Sequence, residues 1–234
     1  YQKSIAAFDD YLKEFANPIF FIESNYYKGI AHQRLGEKDL AAKHFSAILS
    51  RPNTGYTEYA ALVASQYEYE NKNYSQAIVY YKKLESTASF AENKLTAYIG
   101  LMRCHALLED YQAGKPYAHK VLQDPLSLDN VITEAHYVVA KAEFEKANYN
   151  VAMAEFRAVA KNTKGVIGAE SQYMVAYIYH LQEEYKQSEE EVRKLMSEHA
   201  GYDYWSAKAL ILQAKNSIGL EDYTQAEYTL NSVL

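Results

Sequence analysis

A column of tyrosines recurs along this chain at a nearly constant spacing, and this period is the strongest constraint on the fold. Successive members lie 37, 36, 37, 38, 36 and 38 residues apart. The column, named here the turn column, consists of Tyr1, Lys38, Tyr74, Tyr111, Tyr149, Tyr185 and Tyr223. Self-similarity at a fixed period of about 20–50 residues is typical of repeat proteins, in which each repeat is one small structural unit. The sequence therefore predicts a stacked array of similar repeats over all 234 residues.

Apolar residues follow the turn column at helical spacing. Three positions after it the residues are small: Ser4, Ala41, Ala77, Gly114, Ala152, Ser188 and Ala226. Seven positions after it they are mostly bulky: Phe8, Phe45, Tyr81, Ala118, Phe156, Val192 and Leu230. Ten positions after it are Tyr11, Ile48, Leu84, Val121, Val159, Leu195 and Val233. Because offsets of three and four place residues on one face of an α-helix, each turn-column residue is predicted to open a helix. The small residue would let a neighbouring helix approach closely.

A second helical pattern precedes each turn-column residue from Lys38 onwards. Segments such as "TEAHYVVAKAEFEKA" repeat apolar residues at three and four, and a short polar turn such as "ENKNY" follows them. Longer connections between repeats contain the helix breakers Pro18, Pro52 and Pro125. Each repeat is thus predicted to be a helical hairpin, which gives thirteen helices with the one at the start.

Pro116 lies five residues after Tyr111. Proline is tolerated mainly in a first helical turn, so we expect that helix to start late or to bend.

These hairpins resemble the tetratricopeptide repeat, a helical hairpin of about 34 residues. The matching elements are the Asn-Tyr or Asp-Tyr turn, the small residue after it, the aromatic residue four further on, and the closing prolines Pro52 and Pro125. Gly29 matches the glycine of the family's first helix. The resemblance implies an all-α fold, a right-handed α-solenoid of stacked antiparallel helical hairpins. Pentatricopeptide repeats usually carry a basic face and Sel1-like repeats have glycine-rich turns, and this sequence has neither.

The predicted domain is a single array covering residues 1–234. Residues 1–17 would be the second helix of a preceding repeat, and the repeats would be 22–55, 58–91, 95–128, 133–166, 169–202 and 207–234. The sequence begins and stops in the middle of this pattern, so we expect it to be a piece of a longer protein, with any signal peptide or lipid anchor upstream. No run of 18 apolar residues is present, and no transmembrane segment is predicted.

Composition and motifs disfavour several function classes. The net charge is −6 and the basic residues are scattered, whereas a nucleic-acid binder would need clustered cations. A single cysteine, Cys104, excludes an internal disulfide and a multi-cysteine metal site. Phosphate-loop, dinucleotide, nucleophile-elbow and zinc-protease motifs are missing. We therefore predict no enzymatic activity, no cofactor and no metal. Cys104, His32 and His105 are expected to be packing residues.

The resemblance also implies where a ligand would bind, because the first helices of such hairpins line a concave groove. In that family, ligand contacts come from columns that lie fifteen, twelve, eight, five and four positions before the turn column. The residues that these columns offer here for a groove are Tyr26, Tyr69, Arg103, Tyr137, Lys141, Phe144, Tyr173, Tyr177 and Lys215. The chaperone-binding subfamily uses Lys twelve positions and Asn eight positions before the turn column. Neither residue stands at its position in any repeat of this sequence. The alternative for the aromatic residues is that neighbouring hairpins bury them against each other.

The predicted function is a non-enzymatic protein-interaction scaffold that binds a peptide or helix of a partner in its groove. The aromatic residues would anchor apolar side chains, and the cations would favour an acidic partner. Glu134 and Glu170 would neutralise part of that charge. The alternative is a recruiting or regulatory arm of a larger enzyme or envelope assembly complex. Pro52, Asn53, Tyr56 and Ala60 are similar to bacterial cell-envelope tetratricopeptide proteins of the Tol-Pal and outer-membrane assembly type, which favours a periplasmic or envelope location.

Overall fold

A computed structural model describes residues 1–232, which form thirteen α-helices and no strand. The helices are α1 Gln2–Glu14, α2 Phe21–Arg34, α3 Lys38–Leu49, α4 Thr57–Glu70, α5 Tyr74–Thr87, α6 Ala91–Leu107, α7 Tyr111–Gln123, α8 Asp129–Glu145, α9 Tyr149–Asn162, α10 Val166–Leu181, α11 Tyr185–Glu198, α12 Asp203–Gly219 and α13 Tyr223–Asn231. The chain is an all-α helical-repeat solenoid, as the period predicted. The number of helices is also confirmed.

The helices fall into two compact units, which are described separately. The N-terminal unit is Tyr1–Ser127, with α1 to α7, and the C-terminal unit is Leu128–Leu234, with α8 to α13. Within each unit every helix packs against the next one along the chain. First helices of successive hairpins also touch, α4 with α6 and α10 with α12. Whether all residues form the single array of six predicted repeats stays a prediction.

The turn column marks where second helices begin. Helices α5, α7, α9, α11 and α13 each start at its tyrosine, and α3 starts at Lys38. Of the two expectations for α7, the late start is wrong, whereas a bend at Pro116 stays a prediction. The helix begins at Tyr111 with Pro116 inside it, because the side chain of Asp110 accepts a hydrogen bond from the backbone N–H of Ala113 and fixes the first turn.

One left-handed residue ends the first helix of every hairpin. The backbone φ angle is positive at Gly36, Lys72, Glu109, Ala147, Glu183 and Glu221. The N–H of the next residue then bonds to a carbonyl five residues back, as from Glu37 to His32 and from Asn148 to Glu143. This is a Schellman C-cap, which turns the chain sharply towards the second helix. Five of the six positions lack glycine, so composition did not reveal this column.

The predicted small column lies at close helix contacts in both units. Ala41, Ala77, Ala152 and Ser188 are fully buried, and so is the bulky residue that follows in most hairpins, such as Phe156. Two predictions at the ends of the column set are wrong. Ser4 is exposed and Leu230 is 43% exposed, because α1 packs mainly against α2 and α13 mainly against α12. The column member Val233 lies outside the described residues.

In the N-terminal unit, a carboxylate joins two successive hairpins. Glu58 on α4 accepts hydrogen bonds from the backbone N–H of Ser89 and Phe90, from the Ser89 hydroxyl and from the Asn93 amide. These donors lie at the start of α6, so Glu58 caps the N-terminus of a helix in the next hairpin. Burial raises the pKa of Glu58, but the hydrogen bonds together outweigh it and lower the pKa to about 2. Glu58 therefore helps to fix one hairpin against the next.

Among the described residues, no helix is both long enough and apolar enough to cross a membrane.

Candidate functional site

The first helices of the N-terminal unit form an open cleft of about 500 Å³. Two of the predicted groove residues, Tyr69 and Arg103, line it together, although they come from different hairpins. The other lining residues are Gln66, Glu70, Tyr81, Thr96, Ile99 and Gly100. A second cleft of about 160 Å³ shares Gln66 and Glu70 with the first and reaches Gln33 on the preceding hairpin. The structure thus joins three hairpins along one face of this unit.

Tyr26, a third predicted groove residue of this unit, lies in an aromatic cluster. Its ring centroid is 4.6 Å from that of Tyr56, 5.8 Å from that of Tyr59 and 6.1 Å from that of Phe45. Burial, together with the neighbouring Tyr59 and Tyr27, raises the pKa of Tyr26, so its hydroxyl stays protonated as a donor. The ring is half-buried, so packing between hairpins accounts for part of its surface and leaves the rest accessible.

In the C-terminal unit, five aromatic rings follow one another across three hairpins. We name Phe144, Tyr177, Tyr173, Trp205 and Tyr204 the aromatic row. Successive ring centroids along it are 6.1, 6.0, 5.4 and 4.9 Å apart. The predicted residues Phe144, Tyr173 and Tyr177 therefore come together, and each is half-buried. Burial, followed by the nearby Tyr177 and Tyr204, raises the pKa of Tyr173.

Lys141 and Tyr137 lie next to this row on α8. The Lys141 ammonium is 5.9 Å from the centroid of the Tyr137 ring and 3.0 Å from a carboxylate oxygen of Glu170. Both members of the ion pair are mostly buried, with side chains 24% and 15% exposed. The expected neutralisation by Glu170 is confirmed, so Lys141 offers little free charge to a partner. Lys215, the last predicted residue, is exposed on α12.

Trp205 and Lys208 belong to the candidate site although they were not among the predicted groove residues. The Lys208 ammonium lies 5.0, 5.1 and 5.5 Å from the ring centroids of Tyr204, Trp205 and Tyr173. Lys208 lies fifteen positions before Tyr223, a column that also contains Glu134 and Glu170. That column is one of the ligand-contact columns that the resemblance implies, and this is the signal that points to Lys208. Trp205 lies outside the columns, because α12 begins at Asp203, before the predicted repeat boundary at 207.

A further cleft of about 600 Å³ lies at the connection between α9 and α10. It was not predicted, since its lining comes mostly from the start of α8, the end of α9 and the start of α10, and only Glu134 belongs to a groove column. The lining residues are Asp129, Asn130, Ile132, Thr133, Glu134, Asn162, Thr163 and Ile167.

The residues that could suggest catalysis are structural. Cys104 is fully buried, and burial raises the pKa of its thiol to about 12, so it remains a protonated packing residue. His32 and His105 are also buried. Burial is the main cause that lowers the pKa of His105, with Asp110 opposing it. Over the part of the chain that the structure describes, no three His, Cys, Asp or Glu residues are grouped to hold a metal ion.

Comparison with known proteins gives similarity in structure alone. No protein-family model and no curated protein sequence matches the chain. The crystal structure of MamA protein is similar with a TM-score of 0.62 and 15% sequence identity, over 77% of this chain and 92% of that one. The crystal structure of YrrB, described as a TPR protein with an unusual peptide-binding site, has a TM-score of 0.60 and 15% identity, over 82% and 92%. The chain therefore has the fold of a tetratricopeptide-repeat protein.

Proposed function

We propose that this protein is a non-enzymatic interaction scaffold that binds a peptide or a helix of a partner protein along the face formed by its first helices. The observation that carries the proposal is the cleft in which Tyr69 and Arg103, from two hairpins, meet at an open surface of about 500 Å³. A cleft with aromatic, apolar and a few charged groups suits a peptide, whose side chains need apolar anchors and whose backbone needs polar partners. YrrB, which has the same fold, is described as binding a peptide.

The aromatic row supports the same function in the C-terminal unit. Aromatic residues supply large contact areas with few rotatable bonds and are enriched at the energetic centres of interfaces. Half-buried rings are already ordered by their neighbours, so a partner that covers their remaining surface loses little additional side-chain entropy. A location in the bacterial envelope is part of this proposal and rests on the resemblance at Pro52, Asn53, Tyr56 and Ala60 alone.

Site-specific photo-crosslinking tests the proposed surface. A photoreactive phenylalanine analogue at Tyr69, inside the cleft, should crosslink a partner protein from the source cell. The matched control is Val79, which is 55% exposed on the second helix α5 of the same hairpin. Crosslinking at Val79 and not at Tyr69 would place the partner on the opposite face and would contradict the proposal.

Two double variants distinguish apolar anchoring of the bound partner from electrostatic steering of its approach. Replacing Tyr137 and Tyr173 by Ala should weaken binding of the crosslinked partner mainly through faster dissociation, because apolar contact area is lost. Replacing Arg103 and Lys141 by Glu should instead slow association and reduce its dependence on salt, if the partner is acidic. Arg103→Glu alone is the cleaner variant, since Lys141→Glu also places a second carboxylate beside Glu170. Unchanged kinetics in both double variants, with unchanged helical content, would show that the partner binds elsewhere.

A further inference from the structure

The side chain of Lys208 occupies an unusual environment in the C-terminal unit. Its ammonium lies within 5.5 Å of three ring centroids, those of Tyr204, Trp205 and Tyr173. We name this group the lysine tripod. Ring faces attract a cation but offer no lone pair to its N–H groups, so the three donors of this half-buried ammonium take their acceptors from water or from a ligand. Across residues 1–232, no carboxylate lies within ion-pair distance of Lys208.

A second lysine in the molecule, Lys120, also lies beside aromatic rings, and there a carboxylate pairs with the ammonium. The Lys120 ammonium lies 4.7 Å from the centroid of the Tyr98 ring and 5.2 Å from that of Tyr117. There Glu85 supplies a carboxylate oxygen at 2.5 Å, and this hydrogen bond is the main cause that raises the pKa of Lys120. Lys120 thus has two rings and a carboxylate, whereas Lys208 has three rings and, among the described residues, no carboxylate. Lys208 has the cation and the rings, and the anion is the component that a ligand could bring.

We propose that the lysine tripod is an anchor for an acidic side chain, Asp or Glu, that is flanked by an apolar residue in a peptide segment of the partner. The carboxylate would accept hydrogen bonds from the Lys208 ammonium, and the apolar neighbour would cover the exposed face of Tyr204, which is 64% exposed. This inference rests on the proposed scaffold function and names the chemistry of its ligand at one place.

Charge and position favour this occupant over other anions. The chain carries a net charge of −6, so it does not attract polyanions in general, and an anion bound here would be held by the local site. The tripod continues directly into the aromatic row through Tyr173, which gives an apolar residue next to the acid a surface to bind. A single phosphate or a nucleic-acid backbone would use the cation and leave most of the ring surface uncovered.

Trp205 makes the anchor directly observable, because it is the only tryptophan of the chain. The probes are two terminally blocked peptides, acetyl-Leu-Glu-Leu-amide and acetyl-Leu-Gln-Leu-amide, titrated while Trp205 fluorescence is recorded. We expect a saturable change with the Glu peptide and a Kd at least about tenfold weaker with the Gln peptide, because hydrogen bonds to an ionised group are the stronger ones. Equal affinities, or no saturable change with the Glu peptide, would overturn the proposal.

Variants test whether Lys208 carries the preference. Lys208→Met keeps an unbranched side chain on the rings and should remove the discrimination between the two peptides. Lys186→Met, at an exposed lysine on α11 outside the predicted groove residues, should keep it. Discrimination that survives Lys208→Met in a folded protein would overturn the proposal. This outcome is distinct from failure of the scaffold function, since crosslinking at Tyr69 reports on the other unit. A partner captured there, with no peptide discrimination at Trp205, would remove the anchor and leave the scaffold standing.

Discussion

The first-helix faces of the two units differ although their hairpins are built alike. In the N-terminal unit, the ring of Tyr81 packs directly against Gly100, and Ile99 and Tyr69 border an open cleft. In the C-terminal unit, the column of Gly100 contains Val138 and Met174, and the neighbouring columns contribute rings that touch one another. The same backbone arrangement thus gives a cleft in one place and a filled aromatic surface in another. Binding properties on this fold therefore belong to a few side chains rather than to the repeat itself.

The largest expected effect tests whether the two units are energetically separate. Phe156 in the C-terminal unit and Phe45 in the N-terminal unit occupy the same column and are both fully buried. Each change to Ala should lower the free energy of unfolding of its own unit by about 3–5 kcal/mol. Trp205 fluorescence reports on the C-terminal unit, so its denaturation midpoint should fall in Phe156→Ala and stay in place in Phe45→Ala. Equal shifts in the two variants would show that the repeats unfold as one cooperative block.

A second variant examines the small column in the C-terminal unit. Ala152 is fully buried, so Ala152→Leu should overpack the contact between α8, α9 and α10 and cost about 1–3 kcal/mol in the free energy of unfolding. Lys186→Leu, on the exposed face of α11, is the control and should change little. The measurement is the thermal midpoint by circular dichroism. Similar shifts for both substitutions would mean that the helical register is wrong.

The helix cap made by Glu58 is a difference between the units, and the pH dependence of the free energy of unfolding can reveal it. The corresponding residue of the C-terminal unit, sixteen positions before Tyr149, is Thr133, which lines an open cleft. Glu58→Gln should cost about 1–2 kcal/mol in the free energy of unfolding, since the donors at the start of α6 lose a charged acceptor. The exposed Glu190→Gln serves as control.

The sign of the pH effect follows from the direction of the Glu58 shift. The folded pKa of about 2 is below the ordinary value of 4.5, so the carboxylate stabilises the fold above pH 4.5. That contribution is lost as the pH falls from 4.5 through 2. The difference in unfolding free energy between the parent protein and Glu58→Gln should shrink over this range. A constant difference would contradict the capping role.

The smallest effect concerns the left-handed residue of the turns. Ala147 has φ 57° and Gly36 has φ 77° at the same position of two hairpins. Because a Cβ atom in this conformation costs about 1 kcal/mol or slightly more, Ala147→Gly should raise the free energy of unfolding by roughly 0.5–1 kcal/mol. Gly36→Ala should lower it by a similar amount, since a Cβ there would touch nothing within 4 Å and only the backbone is strained. Denaturant midpoints of the two variants that move in the same direction would rule out this account.

Much of the fold was predictable because it follows from local periodicity. One tyrosine marked the start of each of five second helices, and the distance from that tyrosine predicted the burial of residues such as Ala77 and Phe156. Part of the site was predictable for the same reason, since Tyr69 and Arg103 share a cleft and Phe144 touches Tyr177. Pairing was not predictable in the same way. The neutralisation of Lys141 by Glu170 was expected, whereas the position of Lys208 beside three rings depends on side-chain directions that the sequence does not encode locally.

The sequence by itself determined that this protein is a repeat of helical hairpins, where those helices begin, and which side chains pack between them. These properties depend on spacing along the chain, and a helix converts spacing directly into a face. The tertiary structure decided which cations remain available to a partner, that α7 keeps its start despite Pro116, and that Trp205 joins the aromatic row. These depend on groups that are far apart in the chain and meet only after hairpins have stacked, where distances of a few ångströms decide between an ion pair, a ring contact and an open cleft.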